Sequence, residues 1–198
     1  MRVRKLEQRR GVPFVFAESI IRPTLLAMSW HTWIDGEKIP ATGGCLVVLN
    51  HISHIDPLLS GHFVYDHGRL PRYLAKSSLF STRALGGLLT AAGQIPVGQW
   101  GAQDILPPYT KTPRLWPRKH VTMKAGDPLD LADLVAQEHT ADVIAKATDR
   151  IMAAITALVA DLRGEPAPKQ RFDPRVHGVR ETGNPNDDAR GPRRKRSR

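Results

Sequence analysis

Residues 45–57 read CLVVLNHISHIDP, an apolar run that passes directly into a polar segment ending in Asp56-Pro57. The run from Cys45 to Leu49 is continuous and partly β-branched, which predicts a strand buried on both faces. An Asp followed by Pro is a frequent helix start, with Asp56 as the N-cap and Pro57 at the first helical position. We therefore expect a strand, a short loop and a helix, with Cys45 as a small buried strand residue.

The sequence downstream continues this alternation of apolar runs and amphipathic stretches. Residues 140–163 are the clearest helix, because their apolar side chains recur every three or four positions, and we expect it to cover one face of the sheet. The pattern predicts an α/β fold with a single mixed sheet flanked by helices. The expected elements are strands at 45–49, 72–75, 94–97 and 120–125 and helices at 56–67, 82–92 and 140–163.

The N-terminal segment is basic at its start and apolar after it. Residues 1–10 hold five basic side chains and one acidic side chain, and residues 12–34 mix aromatic and aliphatic residues with few charges. Such a segment can lie in a membrane interface, or it can be an ordinary helix packed on its own domain. Both alternatives stay open, and Pro23 is expected to kink the helix.

The net charge of +10 is concentrated at the two ends of the 198-residue chain. Residues 11–162 carry 13 charges of each sign, whereas residues 163–198 carry eleven basic and five acidic side chains. A neutral body argues against a nucleic-acid cleft built into the fold. We expect three parts, namely a membrane-associating segment at 1–35, a folded domain at 36–163 and a disordered basic tail at 164–198.

Cysteine content and hydropathy exclude several other classes. A lone cysteine cannot form a disulfide scaffold or a multi-cysteine metal site. The longest uncharged stretch, residues 84–103, contains too many Gly, Pro and Gln residues for a transmembrane helix. Because Glu18 and Arg22 interrupt the apolar part of the N-terminus, a signal peptide is not expected either. We expect a protein retained in the cytoplasm.

The residues with the clearest chemistry are His51 and Asp56, which are five positions apart where the strand passes into the helix. Ligands collect at this kind of junction in α/β sheets. If the carboxylate accepts a hydrogen bond from one imidazole nitrogen, the other nitrogen can act as a general base toward a hydroxyl. Two other interpretations are a simple helix cap at Asp56 and a metal site formed by His51, His54 and Asp56.

This Asn-His-x4-Asp pattern resembles the first motif of the lysophospholipid acyltransferases, which include the 1-acylglycerol-3-phosphate acyltransferases. The resemblance extends over roughly residues 12–163, including Gly36 to Pro57, the segment from Ala75 to Phe80, and the GDPLD sequence at 126–130. It implies a glycerolphosphate acyltransferase-like fold.

The resemblance also implies acyl transfer from coenzyme A or acyl carrier protein to the free hydroxyl of a lysophospholipid. His51 would be the base and Asp56 would orient it, with Asn50 and Lys76 as substrate-binding residues and without a metal or other cofactor. The expected location is the cytoplasmic face of the membrane, as a peripheral protein on an anionic surface.

Two motifs of that family are missing from this chain. Ile95-Pro96-Val97 is followed by Gly98-Gln99, where the family has an Arg-containing second motif. None of the six Glu residues is followed by Gly, so the family's Glu-Gly-Thr-Arg motif, which helps to bind the glycerophosphate, is missing as well. We therefore expect a truncated sheet, and an inactive lipid-binding remnant of the family is the alternative function.

Overall fold

The computed structural model describes residues 4–51, 55–97 and 117–168. Helices and short strands alternate along these residues, so the predicted α/β class is confirmed. Most of the predicted tail, residues 169–198, lies outside the described part of the chain. The helices are α1 (Val12–Met28), α2 (Asp56–Asp66), α3 (Arg83–Ala91), α4 (Ala132–Val135) and α5 (Ala141–Arg163), and the strands are β1 (Ser29–Ile34), β2 (Leu74–Lys76), β3 (Ile95–Val97) and β4 (Lys119–Lys124).

The four described strands form two separate parallel pairs instead of the single mixed sheet that the sequence predicts. β1 pairs with β4, in register from Ser29 opposite Lys119 to Ile34 opposite Lys124. β2 pairs with β3 over three residues each. Parallel strands need crossover connections, and here α2, β2, α3 and β3 lie in the chain between the two strands of the first pair.

The apolar run at 45–49 is the main error of the sequence-based prediction. Residues 44–51 have no regular secondary structure, Leu46 is 81% exposed, and Cys45 is an exposed free cysteine. A buried strand needs a partner on each side, and no strand of the described residues pairs with this run. Arg69 stabilises the turn before this run, because its guanidinium donates hydrogen bonds to the carbonyl groups of Pro40 and Gly43.

The N-terminal segment also differs from the prediction of one long helix up to residue 34. α1 passes through Pro23 and ends at Met28, and the backbone becomes extended at Ser29. The six residues that follow, SWHTWI, are rich in aromatic and β-branched side chains, which favour a strand, and they pair with β4. The two tryptophans at 30 and 33 therefore lie on a strand rather than on the helix.

The buried core lies where α1, β1 and α2 meet. Phe63 of α2 packs edge-on against Trp33 of β1, with ring centroids 5.2 Å apart, and Tyr65 lies 5.6 Å from Phe14 of α1. Leu25 is the buried residue of α1, at 2% exposure. α5 contacts β4 through Lys124 and Asp161, but none of its residues is buried, so it covers the strand less completely than expected.

α1 presents a second apolar face to solvent. Val12 is 83% exposed, and Phe16 and Ile20 are also exposed. These three residues are spaced by four and therefore form a stripe along one side of the helix. α1 is thus a helix packed on its own domain whose outer apolar face is uncovered. No helix in the described parts of the chain is long and apolar enough to span a membrane.

Candidate functional site

His51 and Asp56 come together at the start of α2. His51 Nδ1 lies 3.2 Å from Asp56 Oδ2, and the side chains of the two residues are 57% and 21% exposed. His51 belongs to an exposed segment that precedes the helix in the chain, and Asp56 is the first helical residue. The five-residue spacing therefore does what the sequence analysis expected, because it folds the histidine back onto the carboxylate.

The geometry assigns different roles to the two imidazole nitrogens. A carboxylate that accepts a hydrogen bond from Nδ1–H leaves Nε2 with its lone pair. The exposed ring can present this nitrogen to a molecule in solution. The same carboxylate stabilises the imidazolium that forms when Nε2 takes up a proton, so the pair can act as a general base and then as a general acid.

Asp56 does not hold the capping position that the sequence predicts. The N-cap is Ile55. Asp56 and Pro57 are the first and second helical residues, whereas the sequence predicts Asp56 as the N-cap and Pro57 as the first helical residue. A negative side chain in the first turn of a helix is favoured by the helix dipole, which suits a carboxylate at position 56.

The first turn of α2 is anchored by residues that the sequence analysis did not identify. The Tyr73 hydroxyl donates to the Pro57 carbonyl at 2.7 Å and lies 2.9 Å from the Ser60 hydroxyl. The backbone N–H of Tyr73 donates to Gln94 Oε1 at 2.8 Å. Burial raises the pKa of Tyr73, with Ser60 acting in the opposite direction, so the phenol stays protonated and remains a donor. Tyr73 falls within the strand predicted at 72–75, and its phenol is the one signal for such an anchor, since a buried phenol usually finds a partner.

The other predicted site residues, Asn50 and Lys76, lie in a loop and at the end of a strand. Asn50 is exposed and directly precedes His51. Lys76 ends β2, where its backbone is in register with Val97 of β3. His54, which the metal alternative requires, lies outside the described residues. Among the residues that the structure does describe, no group of three or more His, Cys, Asp or Glu side chains could hold a metal ion.

A buried polar network lies at the other end of α2 and was also missed. Asp66 accepts hydrogen bonds from Trp33 Nε1 at 2.9 Å and from Arg22 Nη2 at 3.3 Å, and His62 Nε2 lies 3.2 Å away. Burial alone raises the pKa of Asp66, but the hydrogen bonds from His62 and Trp33 and the charges of His62 and Arg22 outweigh it and lower the pKa. This network ties α1, β1 and α2 together at the core.

The fold and this pair define an α/β protein with a hydrogen-bonded histidine–aspartate pair at a helix start. Residues 32–116 match the model of the family described as Acyltransferase, so the expected resemblance to acyltransferases is confirmed and a general acyltransferase role is supported. The matched segment contains His51, Asp56 and the anchor at Tyr73. No curated protein and no solved structure is similar enough to this chain to count as a match.

Proposed function

We propose that the protein transfers a fatty acyl group from an acyl thioester, carried by coenzyme A or acyl carrier protein, to the free hydroxyl of a 1-acylglycerol-3-phosphate. The observation that carries the proposal is the 3.2 Å bond from His51 to Asp56 on an exposed ring, within the segment that matches acyltransferases. This is the geometry that a base for a substrate hydroxyl needs. The product would enter phospholipid synthesis.

The reaction needs one proton carrier and no covalent enzyme intermediate. Nε2 of His51 takes the proton of the acceptor hydroxyl as its oxygen attacks the thioester carbonyl carbon. The tetrahedral intermediate then collapses, the carbon–sulfur bond breaks, and the imidazolium returns the proton to the leaving thiolate. Asp56 orients the ring and stabilises the imidazolium throughout. Asn50 and Lys76 are the proposed contacts to the substrate.

A location on the cytoplasmic face of the membrane fits the surface of α1. Its exposed stripe of Val12, Phe16 and Ile20 follows a cluster of basic residues at the N-terminus. A bilayer that carries anionic lipids matches both features, because the apolar side chains enter the lipid boundary and the cations stay at the headgroups. This would bring the site to a water-insoluble acceptor.

The experiment compares wild type with His51→Ala, using purified protein, 1-acylglycerol-3-phosphate and acyl-coenzyme A or acyl carrier protein. The proposal predicts a turnover that falls by about 10²–10⁴ in the variant, the usual range for loss of a general base. His139→Ala is the matched control, since this histidine is also exposed and lies far along the chain from the pair. Equal turnover by wild type and His51→Ala would exclude His51 as the base.

The alternative function is an inactive lipid-binding protein of the same family, and the absence of the second and third motifs favours it. Flotation with liposomes that contain anionic lipid separates the two functions when it is paired with the turnover assay. Binding together with His51-dependent turnover supports the enzyme. Binding without turnover, for either acyl donor, supports the alternative.

A further inference from the structure

A basic cleft lies between the N-terminal segment, α1 and the end of α2. It has a volume of about 460 Å³, and neither His51 nor Asp56 is part of its lining. We call it the arginine cleft. Its lining residues are Arg4, Leu6, Gln8, Arg10, Glu18, Arg22 and Tyr65.

The N-terminal segment is held against α2 by backbone contacts. The N–H of Arg4 donates to the Asp66 carbonyl at 2.9 Å. Gly68 follows in the left-handed conformation, with φ of +88°, and a Cβ there would lie within 3.1 to 3.3 Å of Lys5 and Arg4. A residue without a side chain at position 68 therefore lets the segment approach closely enough to form one wall of the cleft.

The cleft carries more positive charge than its own contacts neutralise. Three arginines line the cleft, of which Arg10 is paired with Glu18 and Arg22 with Asp66. Arg10 uses the same nitrogen, Nη1, to donate to Glu18 at 3.0 Å and to the Tyr65 hydroxyl at 2.9 Å. Within the described residues, the guanidinium of Arg4 has neither an ion pair nor a hydrogen bond. Guanidinium groups with uncommitted N–H donors match the oxygens of a phosphate group well.

The position of Arg22 relates the cleft to the exposed stripe of α1. At about 100° per residue, Arg22 lies roughly a third of a turn from Phe16, and buried Leu25 lies opposite Phe16. Arg22 is thus on the flank between the apolar face and the core. If the stripe rests on a bilayer, this flank lies at the depth of the lipid headgroups.

We propose that the arginine cleft binds the phosphate monoester group of an anionic membrane lipid. A phosphate monoester carries one or two negative charges and three terminal oxygens, which the guanidinium of Arg4, unpaired within the described part of the chain, and the remaining N–H donors of Arg10 can bind. This site goes beyond the proposed acyl transfer, since it holds the protein on the membrane through a lipid that is not the reacting molecule.

The test measures binding of the full chain to phosphatidylcholine vesicles that contain either phosphatidic acid or phosphatidylserine, adjusted to equal surface potential. Wild type is expected to bind the phosphatidic acid vesicles about tenfold more tightly. Arg4→Gln and Arg10→Gln should lose this preference. Arg9→Gln is the matched control, because it removes the same charge from the same segment but does not line the cleft.

Each outcome decides for or against the site. Arg9→Gln should weaken binding to both vesicles equally and keep the preference. An equal effect of Arg4→Gln and Arg9→Gln, or a wild type without preference, would overturn the proposal. Inorganic phosphate that displaces the protein at micromolar concentration would show that the cleft takes free phosphate instead of a lipid. Arg4→Gln breaks no side-chain bond, so it remains informative if Arg10→Gln fails to fold, and His51→Ala should bind like wild type whether or not His51 is the base.

Discussion

The bond between His51 and Asp56 makes the properties of one side chain depend on the other. Without the carboxylate, the imidazole is an exposed ring that can rotate and can exchange tautomers. With it, the ring is oriented and Nε2 is the basic atom. The sequence predicts this pair because it contains both partners at a spacing that one turn can close.

Asp56→Asn should lower kcat by about 10²-fold or more, because an amide neither fixes the tautomer of the ring nor stabilises the imidazolium as a carboxylate does. The thermal midpoint should stay close to that of wild type, since asparagine has the size of aspartate and the His51 side chain is 57% exposed. Steady-state turnover is the measurement, with Asp133→Asn as the control for an exposed carboxylate in an ion pair. If Asp56→Asn turns over at the wild-type rate, the aspartate has no role in the chemistry.

His31 gives a second prediction for a single side chain, this time for stability. Its ring stacks on Trp33, with centroids 4.9 Å apart, and meets His62 edge-on. Burial lowers the pKa of His31 below 6.5, and His62 and Arg118 lower it further, whereas Asp66 raises it. Below pH 6.5 the unfolded state therefore binds more protons than the folded state, and the free energy of unfolding falls as the pH falls.

The free energy of unfolding from urea titrations at pH 7.5 and pH 5.5 tests this sign. Wild type should lose stability between the two values, and His31→Gln should lose less because the titrating group is gone. His139→Gln, at an exposed position outside the cluster, should behave like wild type. The interpretation fails if His31→Gln and wild type lose the same amount.

Two adjacent glycines decide the packing of α3. A Cβ at Gly86 would overlap the backbone carbonyl of Phe80, whereas a Cβ at Gly87 would enter open space. Gly86→Ala should lower the free energy of unfolding by about 1–3 kcal/mol, as overpacking does. Gly87→Ala should raise it by about 0.5–1 kcal/mol, because alanine is the better helix residue. Urea denaturation measures both, and equal effects would show that α3 does not pack against the turn at 77–80.

The roles of the buried and the exposed face of α1 can also be distinguished by a pair of substitutions. Phe14 packs against Tyr65, while Phe16 lies on the exposed stripe. Phe14→Ala should lower the thermal midpoint. Phe16→Ala should leave the midpoint unchanged and weaken binding to anionic vesicles by about tenfold, the effect of losing one buried aromatic side chain. Thermal melts measure the midpoints of the two variants, and vesicle flotation measures their membrane binding. Unchanged flotation for Phe16→Ala would show that the stripe is not a membrane contact.

The sequence predicts individual elements better than their assembly. Helices α2, α3 and α5 and strands β2, β3 and β4 lie within a few residues of their predicted positions, since each follows from local periodicity and from Pro and Gly signals. The run at 45–49 was predicted wrongly because its burial depends on neighbouring strands, which a local pattern cannot supply. The anchor at Tyr73 and the network around Asp66 depend on residues that come together only in the fold.

At the scale of the whole molecule, few of the hydrophobic side chains that the structure describes are buried, and many large ones are exposed. The buried hydrophobic side chains of the described residues concentrate around α2, whereas α1 and the run at 45–49 leave apolar side chains exposed. The strands of residues 4–51, 55–97 and 117–168 form two short pairs, where the resemblance implies a larger sheet. This agrees with the expected truncation.

The most direct test of the account is the protonation state of the His51 ring, measured by ¹⁵N NMR at a pH where the ring is neutral. His51→Gln assigns the signal among the eight histidines. The account predicts that Nδ1 carries the proton and that Nε2 carries a lone pair in wild type, with a shift toward the opposite tautomer in Asp56→Asn. A wild-type ring protonated mainly at Nε2 would contradict it, because the nitrogen that is proposed to take the proton of the acceptor hydroxyl could not then accept one.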